Sequence, residues 1–458
     1  MTHSPLVDLI ALLPEMSRVL TPIRLLVLGY IVIVLAGAFC LMLPASSSKG
    51  VRQPFIDALF MASSSIATCG LVVVDIGTYY SVIGQAIILL IFQIGGMGYM
   101  AFFIFIAYAL RQKLSVNHRV VARESVSGAL MGNIRSFFGA VIVFTFIFEF
   151  LGASALYLCW MRDFPAVRAV YLGVFHSVSA FCTAGMSLFP NGLMAYGNSV
   201  AINVIVDILS LVGAIGFFVL YDLSLCAKKC IRREFPRRLS LHSKVAILFS
   251  SIVILIGAVV IFISEKWPDS SNLGDRVKLA SFQAISASTT DGFNTMDIGS
   301  MSVTSLFMII MLMFVGASPG STGGGIKTTT LAIILFSIWA HVRNKEDVNM
   351  FHKRIPMATV NKAFVVFIGF LFVLIIDILV LSATEEGSFL QILFEITSAL
   401  GNTGLSTGIT SRLTAVGKIV ITITMFIGRI GPLTAGLFLV GNSRRVPIKY
   451  PEGEVFVA

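Results

Sequence analysis

Long apolar stretches alternate along this chain with short segments in one repeating order: a span, a shorter apolar helix, a glycine turn, and a second span. The first spans are read at Ile23–Leu43, Phe137–Trp160, Val245–Ile263 and Ala363–Leu381, close to the ~20 residues that cross ~30 Å of hydrocarbon. The short helices are read at Gln53–Ala67, Arg168–Phe181, Asp275–Ser288 and Gly387–Leu400. At ~12 to 15 residues they enter the membrane without crossing it. The second spans are read at Tyr80–Leu110, Val200–Cys226, Ser302–Ala340 and Val416–Val440.

The short helices and their turns share the pattern F-x3-S-[SA]-x2-[TN]-x-G followed by an apolar residue, at Phe60–Leu71, Phe175–Met186, Phe282–Phe293 and Phe394–Leu405. The closing glycines Gly70, Gly185, Gly292 and Gly404 are 115, 107 and 112 residues apart, so the chain is four copies of one unit: residues 1–110, 111–226, 227–340 and 341–458. Two crossings per copy return the chain to its starting side, which predicts parallel repeats about an axis normal to the membrane. Inverted-repeat transporters usually need an odd number of crossings per copy. The expected fold is therefore an all-α integral membrane protein with four span, pore-helix, span units around a central pore.

Composition agrees: 57% of residues are hydrophobic, 12% are charged, and mean hydropathy is +0.92, which places the chain in a lipid bilayer. Met1–Arg24 carries Asp8, Pro14, Glu15 and Arg18 and lacks the basic start and clean apolar core of a cleavable leader, so the first span is expected to be retained. The net charge of +10 does not imply nucleic acid. Of 33 Lys and Arg, 20 fall in Arg111–Arg135, Lys228–Lys244, Arg343–Lys362 and Arg444–Lys449, which the positive-inside rule makes cytoplasmic, together with both termini. Those segments alternate with connections that are sparsely basic. Six scattered cysteines form no disulfide framework, and Cys226 and Cys230 have no second ligand pair nearby. His176 alone among the histidines lies in a repeat element, as a polar cap on its helix rather than a ligand.

Non-helical backbone at membrane depth is tolerated where protein buries it or where it lines a water-filled path. A cation leaves its hydration shell only when other oxygens replace it, and a ring of backbone carbonyls does so. The predicted ring comprises Thr68, Cys69, Gly70; Thr183, Ala184, Gly185; Thr290, Asp291, Gly292; and Asn402, Thr403, Gly404. Each short helix points its partly negative C-terminal end at the ring, which favours a cation there. A single T-x-G reads as a helix-packing glycine; four in register read as a filter. Asp291 either faces away as a buttress or touches the ion.

Ser302–Ala340 would extend ~58 Å as a straight helix, so it must break, and Gly316–Gly325 (GASPGSTGGG) supplies five glycines and Pro319. Gly316, Ala317, Ser318, Pro319, Gly320, Ser321, Thr322, Gly323, Gly324 and Gly325, with Lys327, suit a movable barrier below the filter. The segment fails as a phosphate-binding loop because Ile326 separates Gly325 from Lys327 and Thr328 and its flanks are transmembrane. Arg429 lies mid-span, where a charge faces a partner or a cavity; Asp207, Asp222, Asp377 and Glu395 are its candidate partners. Glu149 is expected to pair locally or to border a subunit interface.

The four filter motifs with single glycines resemble the Trk/Ktr/HKT superfamily of potassium transporters over nearly the full length. The resemblance is greatest to its KtrB branch, because the extra N-terminal span pair of the TrkH type is absent. The resemblance implies a K+-channel-like pseudo-fourfold pore, K+ held at Gly70, Gly185, Gly292 and Gly404, stimulation by Na+, and no organic cofactor in this chain. It also implies a homodimer in the bacterial inner membrane and a cytoplasmic nucleotide-binding ring of the KtrA type that controls the 316–325 loop. Some plant relatives that carry sodium have a serine at the first filter glycine; Gly70 keeps the potassium pattern. In the family the arginine matching Arg429 faces the permeation path. The competing reading is a secondary transporter of another cation or small solute, which predicts charged binding groups at the midplane. A membrane enzyme would need clustered acids, histidines or metal ligands, which the sequence does not supply.

Overall fold

The computed structural model, which describes residues 22–98, 134–235, 238–268 and 272–440, is built of helices in the predicted order. Copy one holds α1 (Pro22–Met42), α2 (Phe55–Ile66) and α3 (Val82–Gly96). Copy two holds α4 (Ile134–Trp160), α5 (Ala166–Phe181), α6 (Val200–Ile215) and α7 (Phe217–Ile231). Copy three holds α8 (Leu241–Ser264), α9 (Leu273–Thr289), α10 (Val303–Val315) and α11 (Thr328–Val342). Copy four holds α12 (Met357–Thr384), α13 (Phe389–Gly401), α14 (Ala415–Ile430) and α15 (Pro432–Val440). A two-stranded antiparallel hairpin, β1 (Asn349–Met350) and β2 (Lys353–Arg354), lies in the basic connection between copies three and four. The N-terminal leader reading, the end of the first copy's second span beyond 98, the segments 111–133 and 444–449, and both termini lie outside the described residues.

First spans and short helices fall within a few residues of expectation. The second spans depart from it. Three of the four were read as continuous; instead those of copies two and four break at Gly216 (φ 100°) and Gly431 (89°), as that of copy three does at Gly316 (69°), while α3 ends just ahead of Gly98 (77°). An α-helix cannot pass through that backbone region, which only glycine enters at low cost. At Gly216 the axes of α6 and α7 diverge by 96°. At Gly431 the following Pro432 starts α15, a position where its missing N–H is no loss. Among the described helices, Phe137–Trp160, Leu241–Ser264 and Met357–Thr384 remain as unbroken apolar spans of membrane length.

Each second span opens on a hydroxyl cap: Ser81, Ser199, Ser302 and Thr414 accept the N–H of Gly84, Ile202, Ser305 and Gly417. Such caps satisfy one of the four orphan donors at a helix start and contribute about 1 kcal/mol each.

Packing closes the four copies into a ring. Every short helix lies against the first and second spans of its own copy, and also against the second span of the copy before it. Thus α5 meets α3, α9 meets α6, α13 meets α10, and α2 meets α14, which joins the last copy to the first. The short helices are consequently the core: Phe60, Phe175, Phe282 and Phe394 are fully buried. Outside the ring, Val32, Phe150, Leu255 and Phe372 are exposed, as expected of faces turned to lipid rather than water.

Candidate ion pathway

The four short helices end in the same cap. The N–H of Cys69, Ala184, Asp291 and Thr403 bonds the carbonyl of Ser64, Ser179, Ser286 and Ser398 at 2.8, 2.8, 2.9 and 2.8 Å. One residue earlier, Thr68, Thr183, Thr290 and Asn402 bond Ser65, Ala180, Ala287 and Ala399. These paired bonds define a Schellman cap, whose pivotal residue takes the left-handed conformation. Glycine normally fills it. Here the pivots have φ of 51, 50, 56 and 51°, and a β-branched residue there stores ~1–3 kcal/mol of strain. Three strained threonines at equivalent positions, with Asn402, a residue that tolerates this conformation, at the fourth, imply a surrounding structure that holds them in place.

The filter glycines, Gly70, Gly185, Gly292 and Gly404, also have positive φ, and they meet. A β-carbon added to Gly70 would lie 2.5 Å from the Ala184 carbonyl oxygen and 3.2 Å from Gly404 Cα. Added to Gly185, Gly292 or Gly404, it would overlap the carbonyl oxygen of Asp291, Thr403 or Cys69. Each glycine therefore abuts the carbonyl just before the next copy's glycine, and the relation closes after four steps. All four glycines lie in the wall of one vestibule of ≈ 310 Å³, which Asp75, Asn191, Asn294, Asp297 and Ser406 also line.

Asp291 turns its side chain toward α6. Its Oδ2 accepts Ser210 Oγ on α6 at 2.5 Å, and its side chain is absent from the vestibule wall. Its main chain contributes to the ring like those of Cys69, Ala184 and Thr403.

On the far side of the ring from the vestibule lies the 316–325 loop. The three threonine pivots reach it directly: Thr68 Oγ1 donates to Thr322 O (3.3 Å), Thr183 Oγ1 to Thr322 Oγ1 (3.1 Å), and Thr290 Oγ1 accepts Gly324 N (2.9 Å). The broken helix of copy two cradles the loop, with Ser318 N and Thr322 N donating to Ala214 O and Gly213 O and Phe217 N donating to Gly320 O. Within the loop, Ala317 N bonds Gly324 O, Ser321 Oγ bonds Ser318 O, and Ser318 Oγ meets Thr328 Oγ1 and, on α8, Ser250 Oγ. Pro319 lies where the loop abuts Gly216: a β-carbon there would stand 2.7 Å from its carbonyl oxygen. Lys327 turns back onto Gly323 O and Gly324 O at 2.6 and 3.1 Å.

Arg429 does not take the carboxylates proposed for it as partners in the hydrogen bonds described. It donates to Thr322 O at 2.5 Å, on the loop, and to Gly95 O on α3. Each of these carbonyls has a second lone pair beyond the bond it takes from Gly98 N or Thr68 Oγ1, while three of the acids are engaged by hydroxyls: Asp222 by Ser243, Asp377 by Thr424, and Glu395 by Ser406 and Thr410. The fourth pivot, Asn402, also joins this side, its amide placed to donate to Met425 O and accept Arg429 N. Glu149 pairs locally, accepting Gln93 Nε2 at 2.9 Å. His176 lies inside α5 rather than at its cap, with Nδ1 on Leu172 O and Nε2 near Ser187 Oγ and Leu188 N. No group of three or more His, Cys, Asp or Glu among the described residues is arranged to hold a metal.

The breaks of the second spans in copies two and four were not expected from the sequence, nor were Gly213, Ala214 and Phe217 as the seat of the loop. The signal was present as Gly216 and the Gly431-Pro432 pair.

A family model described as "TrkH: Cation transport protein" matches residues 21–443. The chain is 36% identical over 441 residues to the Ktr system potassium uptake protein B of Bacillus subtilis, across 95% of this chain and 96% of that one. It is 31% identical over 447 residues to the potassium/sodium uptake protein NtpJ of Enterococcus hirae, across 96% and 97%. Among solved structures, the potassium transporter TrkH from Vibrio parahaemolyticus shares the fold with a TM-score of 0.65 over 90% of this chain and 84% of that one, at 20% identity. A family match along most of the chain, and a relative sharing over a third of its residues from end to end, establish that this chain belongs to the TrkH family of cation transport proteins, which are not enzymes.

Proposed function

We propose that the chain takes up potassium through the four-glycine ring, with the vestibule outside the cell and the 316–325 loop as the gate beneath. The observation that carries this reading is the cyclic abutment of Gly70, Gly185, Gly292 and Gly404 on the carbonyls of the neighbouring copies. A dehydrated monovalent cation at that ring exchanges water for main-chain oxygens. The four short helices aim their C-termini at it and add favourable potential. Membrane potential drives entry by ~2.3 kcal/mol per charge per 100 mV. The names of the relatives, potassium uptake and potassium/sodium uptake proteins, support K+ as cargo; stimulation by Na+ is part of the proposal.

In the gated state the Thr322 carbonyl, held by Thr68 and Arg429, stands across the path beneath the ring. Opening requires the loop to leave those contacts. A cytoplasmic nucleotide-binding ring would supply the work, acting on the basic connections of a homodimer in the inner membrane; a relative named as part of a Ktr "system" supports such a partner. The test is K+ and Na+ influx into liposomes carrying the wild type or Gly70→Ser. Gly70 has φ +90° and sits 2.5 Å, at its would-be β-carbon, from the Ala184 carbonyl, so the serine must displace a ring oxygen. Loss of K+ preference is expected; an unaltered preference would falsify the filter.

A further inference from the structure

The residue after the buried phenylalanine of each short helix varies: Met61, His176, Gln283 and Glu395. All four are buried, at 1% exposure or less. In three copies this side chain accepts the main-chain N–H of the residue three past the filter glycine. Leu188 N donates to His176 Nε2 at 3.3 Å, Thr295 N to Gln283 Oε1 at 3.3 Å, and Thr407 N to Glu395 Oε1 at 3.0 Å. His176 fits the role because Nδ1 faces the Leu172 carbonyl and so carries the proton, leaving Nε2 as acceptor.

The same side chains reach the residue two past the glycine where it bears a hydroxyl. Ser187 meets His176 Nε2 at 3.1 Å and Ser406 bonds Glu395. Both serines line the vestibule. A second brace repeats the asymmetry. Ser179 Oγ donates to Met186 O (2.8 Å), Ser286 Oγ to Phe293 O (2.6 Å), and Ser398 Oγ accepts Gly404 N (3.0 Å), whereas Ser64 Oγ is buried without a hydrogen-bond partner. In copy one Met61 has a thioether, which is a weak acceptor, and the outer limb offers Val72 and Val73.

We propose that His176, Gln283 and Glu395 are positioning residues that set ion selectivity by clamping the vestibule-side limbs of filter strands two to four, and that strand one is left as the compliant strand. This rests on the filter reading above. A filter distinguishes K+ from Na+ through the spacing and field of its carbonyls, and a limb anchored three residues past the glycine resists collapse around the smaller ion. A buried N–H stripped of its acceptor must seek another, which moves the limb.

The experiment measures the K+/Na+ permeability ratio of the full chain in liposomes for Gln283→Met, Gln283→Glu, Met61→Gln and Gly292→Ser. Gln283→Met keeps the bulk and removes the acceptor; the ratio should fall about tenfold, equivalent to ~1.4 kcal/mol. Gln283→Glu keeps an acceptor at the same reach and should hold the ratio within about twofold of wild type, a rescue that mere space-filling does not predict. Met61→Gln gives strand one the missing acceptor and should raise the ratio. An unchanged ratio in Gln283→Met, with Gly292→Ser lowering it, overturns the clamp and leaves the filter standing. An unchanged ratio in Gly292→Ser overturns the filter reading itself. Should Gln283→Met fail to yield folded protein, Met61→Gln decides alone, and a ratio no higher than wild type overturns the proposal.

Discussion

Replacing Arg429 with alanine should open the pathway in the absence of any partner. The guanidinium joins two elements on the loop side of the ring, donating to Thr322 O at 2.5 Å and to Gly95 O. Of these two bonds, the first holds the loop. A hydrogen bond from a charged donor contributes about 1.5–3 kcal/mol, and 1.4 kcal/mol is tenfold in an equilibrium, so its loss shifts the balance between seated and released loop by about 10- to 100-fold. The remaining contacts, Thr68 and Thr183 to Thr322, Thr290 to Gly324, and the seat formed by Gly213, Ala214 and Phe217, keep the loop from unfolding outright. The shift therefore appears as a higher basal flux in a folded protein. The assay is K+ uptake down a fixed gradient into liposomes containing this chain alone, with thermal unfolding in detergent as the control for integrity. Arg429→Lys keeps the charge but not the planar fork that reaches two carbonyls, and its flux should fall between the two. Wild-type flux in a stable Arg429→Ala protein would refute the reasoning, because it would mean that the Thr322 contact does not hold the barrier shut.

Two further substitutions test the seat of the loop. Thr290→Val removes the acceptor for the buried Gly324 N–H (2.9 Å) and should raise basal K+ flux about tenfold by destabilising the seated loop by ~1–3 kcal/mol; a flux equal to wild type contradicts that link. Gly216→Ala places a methyl 2.7 Å from the Pro319 carbonyl at φ +100°, a strain of ~1–2 kcal/mol. It should lower the melting temperature by a few degrees and increase flux, and a protein unchanged in both would show that the bend tolerates a side chain.

The parts of this architecture that were legible from residues alone are those written as repetition. The four Phe-to-Gly motifs locate the short helices within two residues because an invariant Phe and Ser four apart share a helix face. The loop at 316–325 was legible because five glycines and a proline in ten residues leave no helical alternative. The breaks at Gly216 and Gly431 were not: one glycine in a long apolar run is also what close helix packing uses, and hydropathy stays high on both sides. Arg429 differs. An intramembrane charge suggests an opposite charge, but main-chain carbonyls of the loop and of α3 accept its hydrogen bonds as well, and which carbonyls come within reach is set by the fold. The clamp residues escaped notice because Met61, His176, Gln283 and Glu395 share a position and no residue type; only the hydrogen bonds of three of them reveal a common task.

The central claim is that main-chain oxygens of Cys69, Ala184, Asp291, Thr403 and their adjoining glycines form one cation site on a shared axis. The most direct measurement is a structure of the full chain determined by anomalous diffraction in rubidium, a K+ substitute. Anomalous density is expected on the axis between Gly70, Gly185, Gly292 and Gly404, lost when rubidium is replaced by a large organic cation. Rubidium bound only at the vestibule carboxylates Asp75 and Asp297, with the axis empty at saturating concentration, would contradict it.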